Sequence, residues 1–216
     1  MPATLTKIDP IAERFARETA EHQMTIAHDD GLYRHLKFRG AKDWAYWFDL
    51  ITVPGALIFR GDGESFVFAR EKDMFGFFRS NPDRATHRIS PDYWSEKLTS
   101  DRNSVKTHSE DRVNQYANDI LTESAEQWPG ITDAWANHAG EDNLDYDLSY
   151  ADSARQALDD FKYTAAGRFG TFRFTDTWEA DFKDFDWWFL WACHAIVTGI
   201  ARYDQAKTTP AALAAA

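Results

Sequence analysis

Residues 187–200 read Trp-Trp-Phe-Leu-Trp-Ala-Cys-His-Ala-Ile-Val-Thr-Gly-Ile, a run of 14 without a Lys, Arg, Asp or Glu. A helix that spans a bilayer needs about 20 apolar residues. This run is therefore too short to cross a membrane and has to be covered by the rest of the chain. Extended to 182–203 it is apolar almost all round, the pattern of a central buried helix rather than a surface helix with one wet face.

The best strand region of the chain lies in 45–70. Residues 47–53 and 56–60 are rich in aromatic and β-branched side chains and are joined by Pro54-Gly55, while Gly61-Asp62-Gly63-Glu64 closes a second hairpin onto 65–69. Residues 33–38 alternate Tyr33, His35 and Lys37 against Arg34, Leu36 and Phe38, as a half-buried strand does. Helices are expected over 9–20 with Pro10 in the first turn, over 74–79, from Ser90-Pro91 through Leu98, and over 113–128 behind a Thr107 or Ser109 cap. Two more are expected over 131–138 and 148–163. The order helix, strands, helices gives an α+β fold, with an antiparallel sheet of three or four strands over about 33–70 packed against helices and the buried C-terminal helix over 182–203. One domain is expected over 1–207, followed by a mobile Ala-rich tail over 208–216. With 16 Phe, 9 Trp and 8 Tyr, the chain has the large side chains that such a core requires.

The only cysteine, Cys193, lies inside the apolar run, so no intramolecular disulfide can form and a buried small hydrophobe is expected. The first twenty residues carry mixed charge and lack the apolar centre of a signal peptide, so the expected compartment is the cytoplasm, with no membrane partner.

Charge is distributed unevenly. Of the net −11, residues 1–109 contribute nothing (16 acidic, 16 basic) and 161–216 contribute nothing (6 and 6), whereas 110–160 hold 13 acidic side chains against Arg112 and Arg155. Such a segment is either a solvated face that maintains solubility or an acidic face that meets a basic surface, such as a nucleic-acid groove on another protein. The second reading nominates Glu123, Glu126, Asp133, Glu141, Asp142, Asp145, Asp147, Asp159 and Asp160 as partner-binding residues. Direct binding of duplex nucleic acid through this face is not expected, because that affinity comes from Lys and Arg on phosphates.

No Walker loop, GxSxG or HExxH is present. His22, His28, Asp29, Asp30 and His35 lie close in sequence and suggest a metal-dependent hydrolase or nuclease as the enzymatic alternative, although Asp29-Asp30-Gly31 also reads as a turn. Asp176, Glu179, Asp181, Asp184 and Asp186 form a second acidic group, read as carboxylates at a helix start or as an acid–base pair. His194 reads as a core histidine, and Trp44, Trp47, Trp187, Trp188 and Trp191 as core aromatics with base stacking as the alternative. None of these patterns selects a catalytic residue, a metal ligand or a cofactor, and the expectation leans away from an enzyme.

Three stretches carry a family resemblance. Tyr33-Arg34-His35-Leu36-Lys37-Phe38-Arg39-Gly40 with Trp47-Phe48-Asp49-Leu50-Ile51-Thr52-Val53-Pro54-Gly55 is one, Pro91-Asp92-Tyr93-Trp94-Ser95-Glu96-Lys97-Leu98 the second, and Phe189-Leu190-Trp191 through Ile200-Ala201-Arg202-Tyr203-Asp204 the third. They are similar to a family of uncharacterised proteins encoded by bacteriophages and prophages. That family has no established activity, so no site transfers. The resemblance implies a phage-type accessory protein that binds and inhibits a host protein, with a nucleic-acid-processing defence complex of the anti-CRISPR kind as the leading target. A phage structural or assembly component is the further alternative.

Overall fold

The computed structural model describes residues 10–41, 45–80, 89–100, 102–140 and 144–214, with side chains as far as 208. Its contacts divide the chain into two units, Met1–Val105 with Phe185–Ala216, and Lys106–Asp184.

The first unit is built on one antiparallel meander of five strands, β1 (Gln23–Asp30), β2 (Tyr33–Arg39), β3 (Phe48–Val53), β4 (Ala56–Gly61) and β5 (Ser65–Ala69), in that order across the sheet. The period-2 alternation of strands sends Leu36, Phe38, Phe48, Leu50, Leu57, Phe59, Phe66 and Phe68 to one face, where all are buried. Helices α1 (Pro10–Glu18), α2 (Met74–Arg79), α3 (Pro91–Ser95) and α7 (Trp187–Ala214) supply the other half of this core. The sheet has one strand more than the upper expectation. Strand β1 escaped the sequence reading because it is an edge strand in which every residue but Met24 is exposed, so no apolar alternation marks it.

Helix α7 lies directly on the sheet. The Trp191 ring meets Phe15 (5.0 Å, 75°) and Phe48 (5.7 Å, 89°) edge to face, the arrangement that the ring quadrupole favours. Further along, a Cβ on Gly199 would sit 2.5 Å from Leu50 Cδ1 and 3.1 Å from Phe38 Cζ, so only glycine lets the helix come this close. Cys193 is fully buried on the same helix, and burial pushes its thiol pKa well up. The helix begins at Trp187, not at 182: residues Lys183–Phe185 are extended as β7, and Asp186 accepts a hydrogen bond from the Trp188 backbone N–H at 2.8 Å. Its backbone continues as helix to Ala214, through most of the stretch assigned above to the tail.

A β-bulge sets the parity of β1. Met24 to Ile26 pair in steady register with Phe38 to Leu36, then the register slips by one, and His28 pairs with His35 and Asp29 with Arg34. One extra residue, Ala27, turns every later side chain to the opposite face. Asp29 is thereby brought to the α7 side, where it accepts hydrogen bonds from Tyr203 Oη (2.9 Å) and Lys207 Nζ (2.8 Å). Beside it Arg34 is nine-tenths buried, donates to Asp73 at 2.8 Å and stacks over Phe75 at 4.8 Å. Asp73 also accepts from the Phe75 backbone N–H at 3.0 Å, which caps α2.

The second unit holds α4 (Glu110–Ser124), α5 (Ile131–Ala139), α6 (Ala151–Asp160) and a two-stranded ribbon of β6 (Lys106–His108) and β7. Ser109 caps α4 as its sequence position suggests. Gly130, with φ of 85°, turns the chain between α4 and α5, and Tyr163 Oη donates to the Pro129 carbonyl at 2.6 Å behind it. Helix α6 is shorter than 148–163: it stops at Asp160, and Tyr163 then forms an antiparallel bridge with Phe172. Trp135, Phe161 and Phe174 form the aromatic centre of this core, at 5.2 to 5.7 Å between rings.

Two predictions follow from these contacts. Gly199→Leu forces α7 away from Leu50 and Phe38 and should destabilise the protein by about 1–3 kcal/mol, measured by denaturant unfolding. In the second case, Lys207 and Tyr203 hold the Asp29 carboxyl below its ordinary value, and Arg34 holds Asp73 below it against the opposing effect of burial. Both folded pKa values are depressed, so the stability they contribute is present above the unfolded carboxylate pKa and is lost as pH falls below about 4. Asp73→Asn should flatten that acid limb in a series of melts from pH 2.5 to 6.

Candidate functional site

The acidic nominees fall in the second unit. Glu123 ends α4, Glu126 follows it, Asp133 lies in the first turn of α5, Asp145 and Asp147 precede α6, and Asp159 and Asp160 end it. All seven are exposed. Glu141 and Asp142 lie outside the described residues. Asp147 accepts hydrogen bonds from the Ser149 backbone N–H and hydroxyl, which hold its carboxyl below the usual range. Asp159 accepts from Thr177 Oγ1 at 2.5 Å and Asp160 from Tyr146 Oη at 3.0 Å. These partners are neutral hydroxyls and amides. Among the described residues no Lys or Arg forms an ion pair with Glu123, Glu126, Asp133, Asp147, Asp159 or Asp160.

The two bases of the 110–160 segment are occupied elsewhere. Arg112 donates to Asp184 at 2.8 Å. Arg155 donates to the carbonyls of Thr177 (2.5 Å) and Ala180 (3.0 Å) and stacks over Phe182 at 5.1 Å. The excess therefore belongs to one folded body: residues 106–184 hold 17 acidic and 7 basic side chains, a balance of −10. A pocket of about 350 Å³ opens beside Asp147, lined also by Glu110, Leu144, Tyr146 and Leu148.

The second acidic group does not form one array at a helix start. Asp176 sits at φ of 56°, Glu179 lies in a 3-10 turn, Asp181 accepts from the Lys183 backbone N–H, and Asp184 pairs with Arg112; only Asp186 caps a helix.

The metal candidates do not form one cluster. His22 is buried beside Phe48 (6.3 Å between rings), Asp29 is held by Tyr203 and Lys207, and His28, Asp30 and His35 stand on β1 and β2. No cluster of three His, Cys, Asp or Glu able to hold a metal ion occurs among the described residues. His194 is buried in the core as expected, stacked on Phe15. Trp191 is core, Trp187 is stacked on Trp188 and under Arg14, and Trp44 lies outside the described residues.

A different constellation stands on the face of the first unit's sheet that points away from α7. Asp49, at the centre of β3, is 0 % exposed although it points away from the apolar core. Its own partners cover it. Arg39 Nη2 donates to Oδ1 at 2.6 Å, Arg60 Nη2 to Oδ2 at 2.9 Å, and His35 Nε2 lies 3.2 Å from Oδ2. Both guanidiniums also stack on Trp47, at 4.5 and 5.2 Å. Lys37 pairs with Asp49 in register on the same face. The sequence does carry a sign of this group. In Phe-Asp-Leu-Ile-Thr-Val the charge sits at the parity opposite to Phe48 and Leu50, and the same parity on the flanking strands gives Lys37, Arg39 and Arg60.

No family model, curated protein or solved structure matches the chain. Among the described residues no helix is long and apolar enough to cross a membrane.

The Asp49 group generates a stability prediction. Arg39→Ala removes the shortest bond to a buried carboxylate and should cost about 1–3 kcal/mol or somewhat more. Arg39→Ala with Asp49→Ala should recover part of that loss, which a double-mutant cycle in urea measures directly.

Proposed function

We propose that the chain is a binding protein whose second unit presents an acidic surface to a basic surface on a partner protein. The observation that carries this reading is the set of exposed carboxylates on 110–160, whose two bases are committed to Asp184 and to backbone carbonyls. Exposed charge of one sign steers a partner of opposite sign and fixes which surface docks, more than it adds raw affinity. A nucleic-acid-binding groove is a positive surface of the kind such a face would meet, and occupying that groove would inhibit the partner. The resemblance to phage-encoded proteins directs the search to a bacterial host and its cytoplasm, with a nucleic-acid-processing defence complex as the leading candidate.

The test is co-purification from host lysate followed by binding kinetics on the captured protein. Association should slow steeply as salt rises and the Debye length falls from about 10 Å to 3 Å. The triple variant Glu123→Gln, Glu126→Gln, Asp133→Asn should lower the association rate several-fold while stability changes by about 0.5 kcal/mol or less per site. Capture of a partner whose association is indifferent to salt and to these substitutions overturns the acidic-surface reading.

A further inference from the structure

The β1 bulge that carries Asp29 to the α7 side carries His28 to the other side, directly opposite His35 on the open face of the sheet. Side chains opposite each other on antiparallel strands have Cβ atoms about 5 Å apart. His28 is exposed, and His35 is 29 % exposed with its Nε2 on Asp49. A carboxylate accepts only, so the nitrogen that faces Asp49 is a donor, and in the neutral ring that arrangement leaves Nδ1 as the acceptor. Lys37 follows two residues along β2 on the same face, and Arg60 reaches it from β4 with half of its side chain in solvent. Tyr33, 51 % exposed, precedes His35 by two residues on that face. No described helix covers it: α7 and α2 pack on the opposite, apolar side.

We propose that this face binds single-stranded RNA and cleaves it without a metal, with His35 as general base and protonated His28 as general acid. Two imidazoles, one fixed in its tautomer by a buried carboxylate, next to Lys and Arg, suit a phosphodiester that must be held, deprotonated on one side and protonated on the other. The serine and threonine hydroxyls on the face, Thr25 and Ser65, stand opposite Lys37 and Arg60 and not opposite a histidine, and the phenol of Tyr33 stands opposite Asp30. The assigned nucleophile is the substrate's own 2′-hydroxyl, which lies next to the scissile phosphorus and is absent from DNA. His35 Nδ1 takes the 2′-hydroxyl proton as the 2′-oxygen–phosphorus bond forms. The bond from phosphorus to the 5′-oxygen breaks, and that oxygen receives the proton of His28. The products are a 2′,3′-cyclic phosphate and a 5′-hydroxyl, with no oxidant, reductant or water consumed. Lys37 faces the phosphoryl oxygens, and Tyr33 offers a ring on which a base stacks. Asp49 is a positioning residue that acts through His35.

The experiment uses the full chain, an end-labelled single-stranded RNA oligonucleotide and excess EDTA, with DNA of the same sequence as control. Cleavage of RNA to cyclic-phosphate ends and no cleavage of DNA is the expected result. His28→Gln and His35→Gln, neither of which removes a core contact, should each lower kcat by about 100-fold or more. Lys37→Ala should act mainly on KM. In ¹⁵N spectra the His35 imidazole should show the Nε2–H tautomer and lose that preference in Asp49→Asn, a signature that a merely structural Asp49 would not produce. Absence of cleavage above the level of the double histidine variant, cleavage that both single variants retain, or equal cleavage of DNA overturns the proposal.

Discussion

The contact between α7 and the sheet is the constraint on which the first unit rests. A helix whose apolar surface runs almost all round cannot be satisfied by one flat partner at ordinary separation. The chain answers by bringing backbone and sheet close at Gly199 and by filling the wider end with Trp191 among Phe15, Phe48 and Phe59. With the sheet's apolar side given over entirely to that packing, its other side is left as the place where polar residues of β2, β3 and β4 gather. The Asp49 group is thus a by-product of the same period-2 geometry that makes the core.

How much of this was legible depended on whether a residue's role followed from its immediate neighbours. The hairpins at Pro54-Gly55 and Gly61-Asp62-Gly63, the α4 cap at Ser109 and the buried terminal helix all rest on local signals, and the α+β class follows from them. Strand β1 does not, because an exposed edge strand has no apolar rhythm and is recognised only through its partner β2. The five histidines and aspartates between His22 and His35 looked like one group because they are close in sequence. A single extra residue, Ala27, sends Asp29 to the α7 side and leaves His28 and Asp30 on the face of His35, and no local pattern announces a bulge.

Charge was the reverse case. Its concentration in 110–160 is visible by counting, but the count cannot say whether Arg112 and Arg155 neutralise their neighbours. Only the fold shows that one reaches Asp184 and the other the turn at Thr177–Glu179, so that the negative balance stays on the surface of a single unit. In the first unit, which carries the remaining −1, four arginines stand in short-range pairs and stacks: Arg34 on Asp73, Arg39 and Arg60 on Asp49 and Trp47, Arg79 on Asp204.

The order of the elements along the chain also has a temporal meaning during synthesis. The sheet is complete at Ala69, yet the helix that covers its apolar face starts at Trp187. At about 5–20 residues per second a ribosome needs on the order of 6–24 s to deliver the roughly 120 residues between them. Through that interval the row of phenylalanines has only the short helices α1, α2 and α3 to pack against. What emerges meanwhile is the 106–184 segment with its balance of −10, so every neighbouring nascent chain carries the same repulsive charge at the time when its sheet is most adhesive. Like charge on that segment opposes the close approach of sibling chains until the last helix is made.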